Sequence, residues 1–219
     1  MWYKMRESMG IQVEDVSLTI KKQEILKHIS VDFGVGKIYG IIGRNGSGKT
    51  MLMKCICGFV RPSEGKIWVQ GKQVGKEIDF PENIGIIIEN PKFIPYYSGM
   101  KNLKTLADIK GNIKKTKIEE TMKTVGLDPA MHRHVGKYSL GMRQRLGIAQ
   151  AIMEDPDILI LDEPMNGLDK DGVADMRALF LELKKQEKTM IIASHNAEDI
   201  DVLCDHVWEM DQGVATQVR

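Results

Sequence analysis

Hydrophobic and polar residues change rhythm several times along the 219-residue chain. Residues 11–42 read as strands: "IQVEDVSLTI" alternates, "EILKHISVDF" is mixed, and "KIYGIIG" is a short apolar run ending in glycine. "GKIWVQGKQV" alternates between glycines and predicts an antiparallel hairpin, and "NIGIIIE" predicts a buried strand. From about Gly99 to Asp155 the strand pattern disappears. "MKNLKTLADIKG", "KTKIEETMKTVG" and "SLGMRQRLGIAQAIMED" carry apolar residues at helical spacing, with Gly111 and Gly126 as expected helix ends. After Pro156, "DILILDEP" and "KTMIIASH" are continuous apolar runs, suited to a parallel sheet covered on both faces. Between them "VADMRALFLELKKQEK" sets Val173, Met176, Leu179, Phe180 and Leu183 on one helical face. The pattern predicts an α/β core split by a helical insertion, with antiparallel sheet at the front. No internal repeat or low-complexity linker interrupts it.

Composition narrows the class without naming it. Hydrophobic content of 42%, charged content of 28% and a formal net charge of +1 are ordinary for a globular chain. No strong global field recruits nucleic acid or an anionic membrane. The apolar runs are far too short to span a bilayer. The start, "MWYKMRESMG", lacks the apolar core of a signal peptide, so it is read as a short extension before the first strand, with Met9 as an alternative start. A cytosolic chain is expected. Cys55, Cys57 and Cys204 do not form a disulfide framework, and Cys55 and Cys57 diverge on a helix, so buried reduced thiols are expected. The lysines of "KGNIKKTKIEE" read as a solvated helix face. In "KFIPYYSG", Phe93, Tyr96 and Tyr97 suit either local packing or a docked partner.

Chemistry enters at residues 43–50, "GRNGSGKT", between the strand "KIYGII" and the helix "TMLMKCICGF". This is the phosphate-binding P-loop pattern in its required strand–loop–helix context. The glycines (Gly43, Gly46, Gly48) let the backbone wrap phosphate closely, and the amides of Arg44, Asn45 and Ser47 join the helix N-terminus in supplying positive potential. Lys49 would reach the β and γ phosphates, and the Thr50 hydroxyl would ligate Mg²⁺. "ILILDEP" then ends a strand in two carboxylates. Asp162 would hold Mg²⁺, and Glu163, facing the other way, would polarise an attacking water.

With "KYSLGMRQRLGIAQA", "NGLD" and "ASH" following in order, essentially the whole chain resembles the ATP-binding subunit of ABC transporters. The resemblance implies a P-loop NTPase core with an antiparallel β subdomain and an inserted α-helical subdomain. Residues 1–219 would form one ATP-binding domain, its core from 1–88 and 156–219 and its helical lobe from 89–155. It also implies ATP and Mg²⁺ as cofactors, and a cytoplasmic location, peripheral on the inner face of the membrane. The expected partners are a separate transmembrane permease and a second ATP-binding subunit, with a homodimer the simplest form.

The family's signature motif, usually Leu-Ser-Gly-Gly-Gln, corresponds here to Tyr138, Ser139, Leu140, Gly141 and Met142. Only Ser139 and Gly141 match, and they would contact the γ-phosphate held by the opposite subunit. Taken alone, this stretch would read as an amphipathic helix with Arg143 and Arg145 on its wet side. Asp169 matches the residue that communicates across the dimer, and His195 the switch histidine that bonds the γ-phosphate. Ile20 falls where the family stacks an aromatic side chain on adenine, with Trp2 or Tyr3 as substitutes.

Glu89, ending "IGIIIE", stands where most relatives carry a glutamine that touches Mg²⁺ and the attacking water. Glutamate keeps an oxygen for a hard cation, loses the amide donor and adds a charge. The side chain must therefore face Mg²⁺, be partly protonated, or swing in at one stage of the cycle. Glutamate here, with "YSLGMRQRLGIAQA", resembles the branch conferring resistance or immunity to peptide antibiotics such as bacitracin and lantibiotics. The C-terminus follows soon after "MDQGVATQ", so no regulatory extension is expected. The competing functions are a soluble ABC-type ATPase acting on ribosomes or DNA, and a nucleotide sensor without turnover. The first usually has tandem units or a long coiled coil; intact Lys49, Glu163 and His195 oppose the second.

Overall fold

A computed structural model describes residues 10–111 and 113–219. The readings for Trp2, Tyr3 and Met9 lie outside those residues. Along the chain, β1 (Ile11–Ile20) and β2 (Gln23–Phe33) precede β3 (Ile38–Ile42) and α1 (Lys49–Ile56). Next come β4 (Glu64–Val69), β5 (Lys72–Gln73) and β6 (Ile84–Ile87). Three helices follow, α2 (Gly99–Lys110), α3 (Lys115–Thr124) and α4 (Leu140–Ile152), with a 3-10 turn at Val135–Lys137 before α4. The chain returns through β7 (Ile158–Asp162), α5 (Lys170–Lys185), β8 (Thr189–Ala193) and α6 (Ala197–Leu203) to β9 (His206–Asp211) and β10 (Val214–Gln217).

Two sheets result. The first, in the order β2-β1-β4-β5, is antiparallel throughout. In the second, ordered β10-β9-β3-β8-β7-β6, only the β9–β10 pairing is antiparallel. The continuous apolar runs have a direct cause here. In β7, Ile158 and Ile160 face one hydrophobic cluster while Leu159 and Leu161 face another; β8 divides Ile191 and Ala193 from Met190 and Ile192 in the same way. Period-2 alternation places successive side chains on opposite faces, and both faces are covered.

One cover is α1, whose Leu52, Met53 and Ile56 are buried with residues of the antiparallel sheet such as Val16, Leu26 and Ile67. The other is helical. Met176 and Phe180 of α5 are fully buried, and Val173, Leu179 and Leu183 pack beside them, which is the predicted face. Burying each large apolar side chain contributes about 1.5–3 kcal/mol. The inserted helices share this second cluster: Leu103, Met122 and Leu146 lie in it with Leu159 and Phe180.

Local signals set the helix ends. Ser98 caps α2 by accepting from the Lys101 amide at 3.2 Å, and Gly111 closes that helix in a left-handed conformation. Gly126 adopts φ 75° just beyond α3. The lysines around α3 do form a solvated face, where Lys115 pairs with Glu119 at 3.3 Å. All three cysteines are buried and free, as expected, and burial pushes their thiols up to about 12. Phe93 packs against the core while Tyr96 is exposed, its ring edge-on to Tyr97.

Candidate functional site

The strand order brings the predicted residues together. β3, β8, β7 and β6 are adjacent and parallel, so the segments leaving their carboxyl ends share one rim of the sheet. Those segments carry the P-loop, His195, Asp162 with Glu163, and Glu89.

The P-loop needs glycine for steric reasons. Gly43 has φ 136°, and a Cβ there would stand 2.2 Å from the Met210 carbonyl oxygen. Lys49 is largely buried, and its Nζ donates to the carbonyls of Gly43 at 2.6 Å and Arg44 at 3.0 Å. The ammonium is thereby folded into its own loop. Asn45, Gly46, Gly48, Lys49 and Thr50 line a cleft of about 650 Å³. Gly43 and Arg44 face a second hollow of about 900 Å³, which His195 also lines. Ser47 is buried and lines neither hollow, and its hydroxyl has no hydrogen-bond partner among the described residues.

Inside the cleft, the Thr50 hydroxyl donates to Asp162 Oδ2 at 2.7 Å. A hydroxyl and a carboxylate side by side form an oxygen set suited to a hard divalent cation. Among the described residues no three His, Cys, Asp or Glu side chains form a self-sufficient metal site. A cation here would need further oxygens, which phosphate or water can supply. The residues fit Mg²⁺ on that basis.

Glu163 leaves β7 at φ 50°, its amide bonded to the Ala193 carbonyl at 2.9 Å. This turn aims its carboxylate at the next segment, where His195 Nδ1 lies 2.8 Å from Glu163 Oε2. Glu89 also leaves its strand in the left-handed region, at φ 61°. It lines the same cleft as Thr50 and Asp162, and its Oε1 accepts from Lys54 Nζ at 2.5 Å. The Lys54 hydrogen bond, and then its charge, hold the Glu89 carboxyl below the usual range. The ion pair with Lys54 favours the charged carboxylate.

Ser139 and Gly141 line neither hollow. Ser139 caps α4 by accepting from the Met142 amide at 3.1 Å. A Cβ on Gly141 would meet the Gly167 carbonyl at 2.8 Å, so the start of α4 lies against residues 165–169. Asp169 likewise caps its own helix, α5, accepting from the Gly172 amide at 2.9 Å. Arg143 and Arg145 are not on a wet face. Arg143 donates to the Tyr138 carbonyl at 2.7 Å, and Arg145 to the Val125 carbonyl at 2.7 Å.

Sequence reasoning missed several cleft residues. Gln23, Ile25, Met51, Asn90, Gln144 and Asn166 line it. Ile20, the position assigned to adenine, is exposed beside the β1–β2 turn and is not among the lining residues. Gln144 is buried, and its Nε2 donates to the carbonyls of Glu163 at 3.2 Å and Pro164 at 3.0 Å, tying α4 to the carboxylate loop. A glutamine at an inward-facing register of α4 was the available signal.

A model of the ABC transporter family matches residues 26–166. An ABC transporter ATP-binding protein, YybJ of Bacillus subtilis, is 47% identical over 203 residues, 93% of each chain. The bacitracin transport ATP-binding protein BcrA of Bacillus licheniformis is 39% identical over 93% of this chain and 67% of its own. The lantibiotic transport ATP-binding protein SrtF of Streptococcus pyogenes is 33% identical over 93% of this chain and 87% of its own. The fold is similar to the dimeric ATP-binding cassette MJ0796 in a post-hydrolysis state bound to ADP and Pi, with a TM-score of 0.85, 20% identity, and coverage of 95% and 99%.

Proposed function

This chain belongs to the ABC transporter family as an ATP-binding subunit with ATPase activity, and from that premise we propose how its residues divide the work. The observation that carries the reading is the pairing, at one rim, of Thr50 with Asp162 and of Glu163 with His195. Lys49 exchanges its two carbonyl contacts for phosphate oxygens. Thr50 and Asp162 would hold Mg²⁺, with Glu89 as a further oxygen ligand, and the ion would supply charge neutralisation for the triphosphate. Glu163 accepts the proton of the attacking water, and His195 steadies Glu163 through Nδ1 while Nε2 remains for the γ-phosphate.

Ser139 and Gly141 serve the nucleotide of a second copy, with Asp169 at the same interface, so two chains close over two nucleotides. Residues 89–155 move as a lobe during that closure. No described helix is long and apolar enough to cross a membrane. The subunit works against a separate permease at the cytoplasmic face. The names of BcrA and SrtF support a peptide antibiotic or bacteriocin as the transported substance.

The test is Glu163→Gln. With ATP and Mg²⁺ the variant should dimerise, by light scattering, yet lose at least about a hundredfold in phosphate release. Vigorous steady-state hydrolysis by the variant removes Glu163 from this role. Co-purification of a protein with multiple apolar spans supports the transport assignment, and co-purification of ribosomes or DNA overturns it.

A further inference from the structure

The cleft is acidic for a site that receives a polyanion. Glu89, Asp162 and Glu163 line it, and Lys49 is the single cation among the described lining residues. Lys49 is itself engaged by two carbonyls. A triphosphate entering this cleft meets three carboxylates against one ammonium, and one unit charge at close range is worth a large change in affinity. The P-loop amides and a bound divalent cation would offset part of that excess, and a cation just outside the lining can offset the share that belongs to Glu89.

Lys54 stands on α1 one turn beyond Thr50, so both side chains project from the same face of the helix. Its Nζ bonds Glu89 Oε1 and leaves Oε2 unclaimed by that contact. Lys54 is the less accessible partner, with 26% of its side chain exposed against 60% for Glu89. The cation is held under the carboxylate on a rigid helix, and the carboxylate lies at the cleft. Two residues further on, Pro91 sits against α4, where a Cβ on Gly147 would be 2.5 Å from the Pro91 ring. The Glu89 segment is thus fixed on both sides.

We propose that Lys54 is the positioning residue that lets Glu89 serve a triphosphate site. It cancels the Glu89 charge from behind and holds the carboxylate so that one oxygen is presented to the cleft. Together the pair act as a neutral oxygen donor. This inference rests on reading the cleft as the triphosphate site.

The experiment is a double-mutant cycle read by equilibrium binding of the fluorescent analogue mant-ATP to the full chain with Mg²⁺. Lys54→Met should weaken binding about tenfold, and Lys54→Arg less than about threefold. In a chain that also carries Glu89→Gln, the same Lys54→Met change should cost less than about twofold, because there is no charge left to cancel. Equal losses in the two backgrounds, or no loss in the parent, overturn the proposal. Should Lys54→Met not fold, Lys54→Gln, which keeps most of the stem and a donor without the charge, repeats the cycle with the same expectations. Unaltered melting temperatures separate a charge effect from unfolding. Failure of the unmodified chain to bind mant-ATP at all defeats the triphosphate reading itself.

Discussion

Gly147→Ala tests whether α4 and the Glu89 segment touch as described. Gly147 lies in the interior of α4, where alanine is ordinarily better than glycine by about 1 kcal/mol. Here the added Cβ would stand 2.5 Å from Pro91 Cγ, 3.0 Å from Pro91 Cβ and 3.8 Å from Ile87 Cδ1. Carbon atoms settle about 3.5–4.0 Å apart, so the ring or the helix must give by roughly 1 Å. A proline ring cannot rotate away, and its neighbour Glu89 is tied to Lys54. Overpacking of this kind costs about 1–3 kcal/mol, which exceeds the propensity gain. The net expectation is a loss of about 1 kcal/mol, and a melting temperature lower by about 2–4 °C for a chain of this size. ATP turnover should fall as well, because the displaced segment carries Glu89 into the cleft. Adding Pro91→Ala should recover the lost stability by opening the space. Thermal unfolding of the single and double variants decides the matter. A Gly147→Ala chain that melts above its parent, or shows no recovery with Pro91→Ala, refutes the contact reasoning.

Two further outcomes follow from the packing. Arg145→Met should destabilise by about 1–3 kcal/mol in denaturant unfolding, because it strips the Val125 carbonyl of its donor and removes the contact to Asp175 at 3.3 Å; a change below about 0.5 kcal/mol shows that this guanidinium is not a clasp. With Cys55, Cys57 and Cys204 pushed up to about 12, roughly one thiol in ten thousand is ionised at pH 8, so the folded chain should resist a thiol reagent that labels all three cysteines in denaturant. Fast labelling of the folded chain places at least one thiol outside the core.

The elements most legible in the sequence are those whose pattern, length and flanking residues agree. The short, β-branched-rich runs at β7 and β8 suit a doubly covered sheet, and the face from Val173 to Leu183 suits a helix against it; both are found. The P-loop was legible because Gly43, Gly48 and Lys49 are required together. The rest depended on contacts between residues far apart in the chain, which no local pattern encodes. Lys54 and Glu89 are 35 positions apart, and Gln144 reaches Glu163 across 19. Arg145 looked solvated because charge at helical spacing usually is, yet the carbonyl at the end of α3 gives its guanidinium a buried partner. Ile20 falls at the family's aromatic position, yet the hairpin offers Gln23 and Ile25 to the cleft instead.

Backbone conformation connects these observations to function. Of the non-glycine residues with positive φ, Lys21, Lys22, Gln70 and Gln212 sit in hairpin turns, where the sharp reversal explains them. Glu89 and Glu163 do not. Each lies just beyond a parallel strand of the central sheet, Glu89 two residues after β6 and Glu163 one after β7, each is left-handed there, and each carboxylate meets a partner, Lys54 in one case and His195 in the other. Such a conformation costs about 1 kcal/mol per residue, and a glycine would relieve it. Neither position can take glycine without losing the group that the turn delivers. Glu89 and Glu163 also share a physical link, since Gln144 of α4 bonds the Glu163 carbonyl and Pro91 packs on Gly147 of the same helix. Both carboxylate segments therefore rest on α4, and a shift of that helix would act on the two at once.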